Sequence, residues 1–183
     1  DDASSSSSER DDVLPSYGGY FEKQRAARCA IHALNNAVGR LFCTDADMDF
    51  ALEDYLVSSR REFLHEVRSE HCKPNGWFSS EVLAHSVTTT SLRKSCGKVE
   101  YVMELQPLYK NPAVIHTCVG AVVNIANKHW VSLRSVGGVI WFLDSERKPS
   151  RMTQADYETF INKHRAAYPI RWAEDMASLS TGP

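Results

Sequence analysis

Four residues have the types and order that thiol-based acyl chemistry needs. Cys29 opens the first stretch of helical apolar spacing, formed by Ala30, Ile31, Leu34, Ala37 and Val38. The N–H groups at a helix start lack partners inside the helix, so they favour a thiolate placed among them. Gln24, just upstream, carries an amide that can donate to a developing oxyanion. His129 and Asp144 flank a Gly137-Gly138 pair, and a two-residue Gly-Gly loop marks a hairpin. With Val136 opposite Val139, Leu133 meets Phe142 and Val131 meets Asp144. His129 then shares a sheet face with Asp144, as a diagonal neighbour about 7–8 Å away at the backbone. That face also carries Val131, Leu133, Ile140 and Phe142, so acid and imidazole stand side by side at the end of an apolar surface. A slip of one residue would put them on opposite faces. Taken singly, each feature also fits a plainer role. Cys29 can be a small core residue, and His129 and Asp144 can be polar strand ends near solvent.

Jointly the residues define a reaction. The thiolate attacks an acyl carbon, and the imidazole takes and returns the proton. Asp144 fixes the imidazole tautomer, and Gln24 with the Cys29 backbone N–H binds the oxyanion. Cys, then His, then an acid or amide is the chain order of papain-like enzymes.

The elements that must position these residues change character midway. The first half reads as helical. Thr44 and Asp45 can cap a second helix with Met48, Leu52, Tyr55 and Leu56 as its buried stripe. Ser58-Ser59 reads as an interruption, after which Phe63, Leu64 and Val67 resume the helix. Lys73-Pro74-Asn75-Gly76 reads as a turn, and Ser79 or Ser80 as the start of a helix through Val82, Leu83 and Val87. Strands are expected at 98–105, 120–125, 129–136, 139–145 and 168–172, all rich in Val, Ile and aromatics. One helix interrupts them, opening on Thr153-Gln154-Ala155-Asp156 and continuing through Tyr157, Phe160, Ile161 and His164. Helices followed by an antiparallel sheet make an α+β fold. One domain over 17–177 is expected, between a Ser-rich acidic tail (1–16) and a short tail (178–183).

Composition sets the outer bounds. The 183 residues are 43% hydrophobic and 10% aromatic, which excludes a largely disordered chain. A balance of 21 basic against 23 acidic side chains gives no electrostatic case for nucleic-acid binding. No apolar run approaches the ~20 residues of a membrane span. No charged-then-apolar leader is seen, and five cysteines without CxxC spacing read as reduced thiols. A cytoplasmic or nuclear location is therefore expected.

Gln24-Arg-Ala-Ala-Arg-Cys29-Ala-Ile-His-Ala-Leu-Asn-Asn36 resembles the signature of the Josephin family, a Gln ahead of Cys-x-x-His-x-Leu-Asn-Asn. His129-Trp130-Val-Ser-Leu-Arg134 resembles the family's His-Trp strand, and Trp141-Phe-Leu-Asp-Ser145 the strand with its third catalytic residue. Gly76-Trp77-Phe78-Ser79 is similar to a Gly-Phe-Phe-Ser-type segment between them. Asp144 stands where some members carry Asn and agrees with the short, Josephin-only members. The likeness covers about residues 20 to 174. It implies a papain-like deubiquitinase that hydrolyses the peptide or isopeptide bond at the C-terminus of ubiquitin. It also implies a helical arm beside the cleft at about 45–71. The expected partners are ubiquitin, its chains and ubiquitinated proteins. The expected enzyme is monomeric, with no cofactor and no metal.

Other residues are weaker candidates. Trp77 and Phe78 follow the turn and can line the substrate groove, as can Ser80, although helix-entry packing suits the two aromatics as well. Trp130 is a further substrate candidate, but it lies on the sheet face opposite His129, where packing is expected. His32 shares a helix side with Cys29 and can be mistaken for the base. It points along the same surface rather than across a cleft, so a structural hydrogen bond with Asn35 or Asn36 is favoured. Cys72, His65 and His71 cluster without paired zinc spacing. Cys43, Cys96 and Cys118 read as ordinary thiols, and Arg60-Arg61 with Arg68 as a charged helix surface. Two alternatives to a deubiquitinase remain open: a ubiquitin-binding module without turnover, and another Cys-His-Asp acyl-transfer enzyme.

Overall fold

The computed structural model describes residues 17–62 and 68–179. The tail expected over 1–16, the chain from 180 onward, and Phe63, Leu64, His65 and Val67 lie outside the described residues, as do the side chains of Arg60 and Arg61. Four helices come first: α1 (Cys29–Val38), α2 (Asp45–Glu62), α3 (Arg68–His71) and α4 (Ser80–Lys94). Six strands follow: β1 (Tyr101–Met103), β2 (Gly120–Ile125), β3 (His129–Val136), β4 (Val139–Leu143), β5 (Ser150–Met152) and β6 (Ala167–Trp172). Helix α5 (Gln154–Lys163) joins β5 to β6, and α6 (Ala173–Leu179) extends past residue 178, where the sequence reads as tail. The strands form one antiparallel sheet in the order β1-β6-β2-β3-β4-β5. The fold is α+β, as expected. No helix among the described residues is long and apolar enough to cross a membrane.

Local chemistry sets the helix starts. The Thr44 hydroxyl accepts from the Asp47 N–H, while the Asp47 carboxylate accepts from the Thr44 N–H and hydroxyl, a reciprocal cap on α2. Ser79 caps α4 by accepting from the Val82 N–H, and Thr153 caps α5 by accepting from the Asp156 N–H. The interruption expected at Ser58-Ser59 does not occur. Serine costs only a few tenths of a kcal/mol inside a helix, and the buried stripe of Met48, Leu52 and Leu56 carries α2 through it.

The hairpin forms in the register expected from its turn. Val136 pairs with Val139 and Leu133 with Phe142. Gly137 and Gly138 have φ of 59° and 79°, the left-handed pair that a tight hairpin turn requires. Strand β5 has no β-branched residue and gave no sequence signal. It forms because β4 offers an open edge, with Ile140 opposite Met152 and Phe142 opposite Ser150.

The sheet separates two cores. One face carries Trp130, Val122 and Ile170, which pack with the buried stripes of α1, α2 and α4. The other carries Ala121, Val123, Val131, Leu133 and Ile140, covered by Tyr157 and Ile161 of α5 and by Leu108 and Ile115. The apolar face expected to hold the His129–Asp144 pair is thus the one beneath α5, while α1 and Cys29 lie on the other side.

Candidate active site

Arg28 precedes α1 with φ −140° and ψ 38° and makes no side-chain cap, so the first N–H groups of the helix are left to other partners. Cys29 is the first residue of α1 and only 3% exposed. Its thiol lies 3.7 Å from the carbonyl of Gly76, which belongs to the turn before α4. Gly76 has φ +79°, and a Cβ there would sit 1.7 Å from the Ala27 carbonyl oxygen. Only glycine lets this turn lie against the chain entering α1.

The same turn reaches the sheet. The Trp77 indole N–H donates to Asn124 Oδ1 at 3.2 Å, and Lys73 Nζ donates to the Asn127 carbonyl at 3.1 Å. Asn124 lies near the end of β2, and Asn127 lies in the β2–β3 connection just ahead of His129. The helical and sheet halves are therefore tied together beside the thiol.

His129 Nε2 lies 2.9 Å from Asp144 Oδ1. Asp144 is 7% exposed. Its Oδ1 also accepts from the Glu146 N–H at 3.0 Å, and Arg147 Nε lies 3.9 Å from its Oδ2. With Nε2 taken by Asp144, Nδ1 is the imidazole nitrogen left for Cys29. The hydrogen bond with Cys29 raises the His129 pKa most. Partial burial opposes it, and the hydrogen bond and charge of Asp144 add to it, leaving the imidazole at about 9. An imidazolium at neutral pH is the partner a catalytic thiolate needs. Because α1 covers the sheet face opposite to Val131, Cys29 and His129 meet at the end of β3 rather than across its middle.

Gln24 is brought to the same place by Ser145. The Gln24 N–H donates to the Ser145 carbonyl at 2.8 Å, and the Ser145 hydroxyl donates to Gln24 Oε1 at 3.0 Å. Fixing Oε1 leaves Nε2, the amide's donor end, as the group that can meet an oxyanion. Neither Ser145 nor Gly76 was singled out as a site residue by sequence. The first follows Asp144 directly, and the second sits in an Asn-Gly turn, the signal that could have marked it.

The remaining candidates are placed elsewhere. His32 Nε2 accepts from the Arg25 N–H at 3.1 Å, and its Nδ1 lies 2.6 Å from Glu22 Oε1, so neither nitrogen faces the thiol. Trp130 is fully buried and its indole donates to the Phe78 carbonyl at 2.8 Å, so it offers substrate no surface. Trp77 and Phe78 are 6% and 7% exposed, and the Ser80 hydroxyl donates to Glu81 at 3.3 Å. His71 Nδ1 is bonded to the Ser79 hydroxyl at 2.7 Å. Burial pushes the thiols of Cys43 and Cys118 up to about 12, which keeps both protonated. His129, Asp144 and Glu146 could together face a cation, but His129 Nε2 is already committed to Asp144.

The Josephin model matches residues 24–168, a span that begins at Gln24 and contains Cys29, His129 and Asp144. No curated protein matches the chain. With most of its length matched, the chain belongs to the Josephin family, a family of deubiquitinase-type cysteine proteases.

Proposed function

We propose that this protein hydrolyses the peptide or isopeptide bond that follows the C-terminal residue of ubiquitin, acting on ubiquitin chains or ubiquitinated proteins. The observation that carries the reading is the meeting of Cys29, His129 and Asp144 at one end of the sheet, with the helix N-terminus open beside them.

The chemistry follows from the roles. The Cys29 sulfur forms a bond to the carbonyl carbon, and the oxyanion is held by the Gln24 amide and the Cys29 backbone N–H. The C–N bond breaks as His129 passes its proton to the departing amine, leaving a thioester. Water then attacks the thioester while His129 takes its proton. The C–S bond breaks, and the thiolate–imidazolium pair is restored. Asp144 holds the imidazole so that Nδ1 faces the sulfur throughout. No step calls for a metal or an organic cofactor. Five unbridged cysteines suit a reducing compartment, the cytoplasm or the nucleus.

The test is intact mass spectrometry after incubation with ubiquitin carrying a C-terminal electrophile, on wild type and Cys29→Ala together. One ubiquitin-sized adduct on wild type alone is expected. A folded wild type without an adduct would overturn the reading and favour a binding module or a different acyl transfer.

A further inference from the structure

Glu22 is held on the flank of α1 by three of its side chains. The Glu22 N–H donates to Asn36 Oδ1 at 2.7 Å, and Asn36 Nδ2 donates back to the Glu22 carbonyl at 3.2 Å. Asn35 Nδ2 donates to Glu22 Oε1 at 2.9 Å. The same oxygen lies 2.6 Å from His32 Nδ1, and the Tyr20 hydroxyl donates to the other carboxylate oxygen. Every one of these bonds stops at Glu22, short of Gln24.

His32 carries the network onward. Its Nε2 is the acceptor for the Arg25 N–H, the peptide group that leaves Gln24. An imidazole nitrogen that accepts must have a free lone pair, so the proton resides on Nδ1 and is donated to Glu22. Glu22 thereby fixes the tautomer, and His32 fixes the Gln24–Arg25 peptide. With Ser145 gripping Gln24 from the sheet side, the residue is clamped between α1 and the Asp144 strand.

We infer that His32 is a positioning residue for the reaction, anchoring the peptide after Gln24 so that the Gln24 amide meets the oxyanion. The inference rests on the oxyanion role proposed for Gln24. It accounts for a histidine one helical turn from the nucleophile that does not act as its base. It also assigns the Asn35-Asn36 pair to docking this segment.

The test compares His32→Asn with His32→Gln, on turnover of a fluorogenic amide of ubiquitin and on alkylation of Cys29 by iodoacetamide. Alkylation forms the S–C bond as iodide leaves, so it needs the thiolate but no oxyanion donor. Asn has no acceptor at the Nε2 position, whereas the longer Gln can place its Oε1 there. His32→Asn is expected to lower kcat by about tenfold or more, with KM and the alkylation rate within about twofold of wild type. His32→Gln should recover most of that loss. Added to Gln24→Ala, His32→Asn should cost nothing further. Should the His32 variants fail to fold, Arg25→Pro deletes the donor from the other side of the bond and should give the same kcat loss. An unchanged kcat in His32→Asn, with Gln24→Ala impaired, overturns this inference and leaves the oxyanion assignment standing. So does an equal His32→Asn loss with or without Gln24. An unimpaired Gln24→Ala overturns the oxyanion assignment and this inference with it.

Discussion

Gln24 and Ser145 are joined twice, backbone to backbone at 2.8 Å and side chain to side chain at 3.0 Å, although 121 positions separate them in the chain. The segment ahead of Cys29 is thereby fastened to the residue after Asp144. The same bond that anchors the Gln24 carbonyl oxygen aims its amide N–H. The two bonds set both where Gln24 sits beside the Asp144 strand and which way the amide proposed to meet the oxyanion is turned.

Replacing Ser145 with Ala removes the side-chain bond but keeps the backbone one. The freed amide can rotate, so kcat should fall by about tenfold, the equivalent of one ordinary hydrogen bond. Gln24→Ala removes the donor itself and should cost about 10²- to 10³-fold in kcat. Steady-state kinetics on a fluorogenic ubiquitin amide reads both. A Ser145→Ala loss larger than that of Gln24→Ala would show that Ser145 acts on something other than Gln24.

The pH profile has a definite sign. His129 is raised by its hydrogen bond with Cys29 and by Asp144, to about 9. The imidazolium therefore persists across neutral pH, and kcat/KM should decline only as pH rises through about 9. Asp144→Asn removes the carboxylate charge and should move that limb to lower pH. A limb that stays in place in Asp144→Asn would rule out the acid as the partner that holds the proton on His129.

Gly76→Ala tests the turn against α1. The left-handed φ costs any other residue about 1–3 kcal/mol, and here the new Cβ also meets the Ala27 carbonyl at 1.7 Å. At about 2 kcal/mol the melting temperature drops by about 4–8 °C. Gly97→Ala is the control, with φ +86° and open space around it, so it should melt higher than Gly76→Ala. Reaction of Cys29 with a ubiquitin electrophile should fall in Gly76→Ala alone.

Trp77→Phe keeps a ring under Lys73 but deletes the indole N–H that reaches Asn124. The lost bond is worth about 1 kcal/mol. Because Asn124 sits near the end of β2 and its amide donates to Asn127 in the turn leading into His129, kcat/KM should drop by about 3- to 10-fold. If calorimetry records the stability loss while kcat/KM is unchanged, the tie between the two halves is structural only.

Local physics made part of this site legible in the sequence. The Gly137-Gly138 pair dictates a tight turn, the turn dictates the register, and the register puts His129 and Asp144 on one face. Apolar spacing dictates that a helix begins at Cys29, and short polar side chains dictate the starts of α2, α4 and α5. These signals act over a few residues, so composition and spacing carry them. Only the tertiary structure decided that α1 covers the opposite sheet face, so that thiol and imidazole meet at a strand end. Only packing brought the Gly76 carbonyl to the sulfur and Ser145 to Gln24. It also turned both nitrogens of His32 toward Glu22 and Arg25, where helix spacing alone left it beside Cys29. β5 likewise pairs because β4 has a free edge, not because its own residues favour a strand. Such contacts depend on how whole helices and strands fill space against one another, which no short window of sequence encodes.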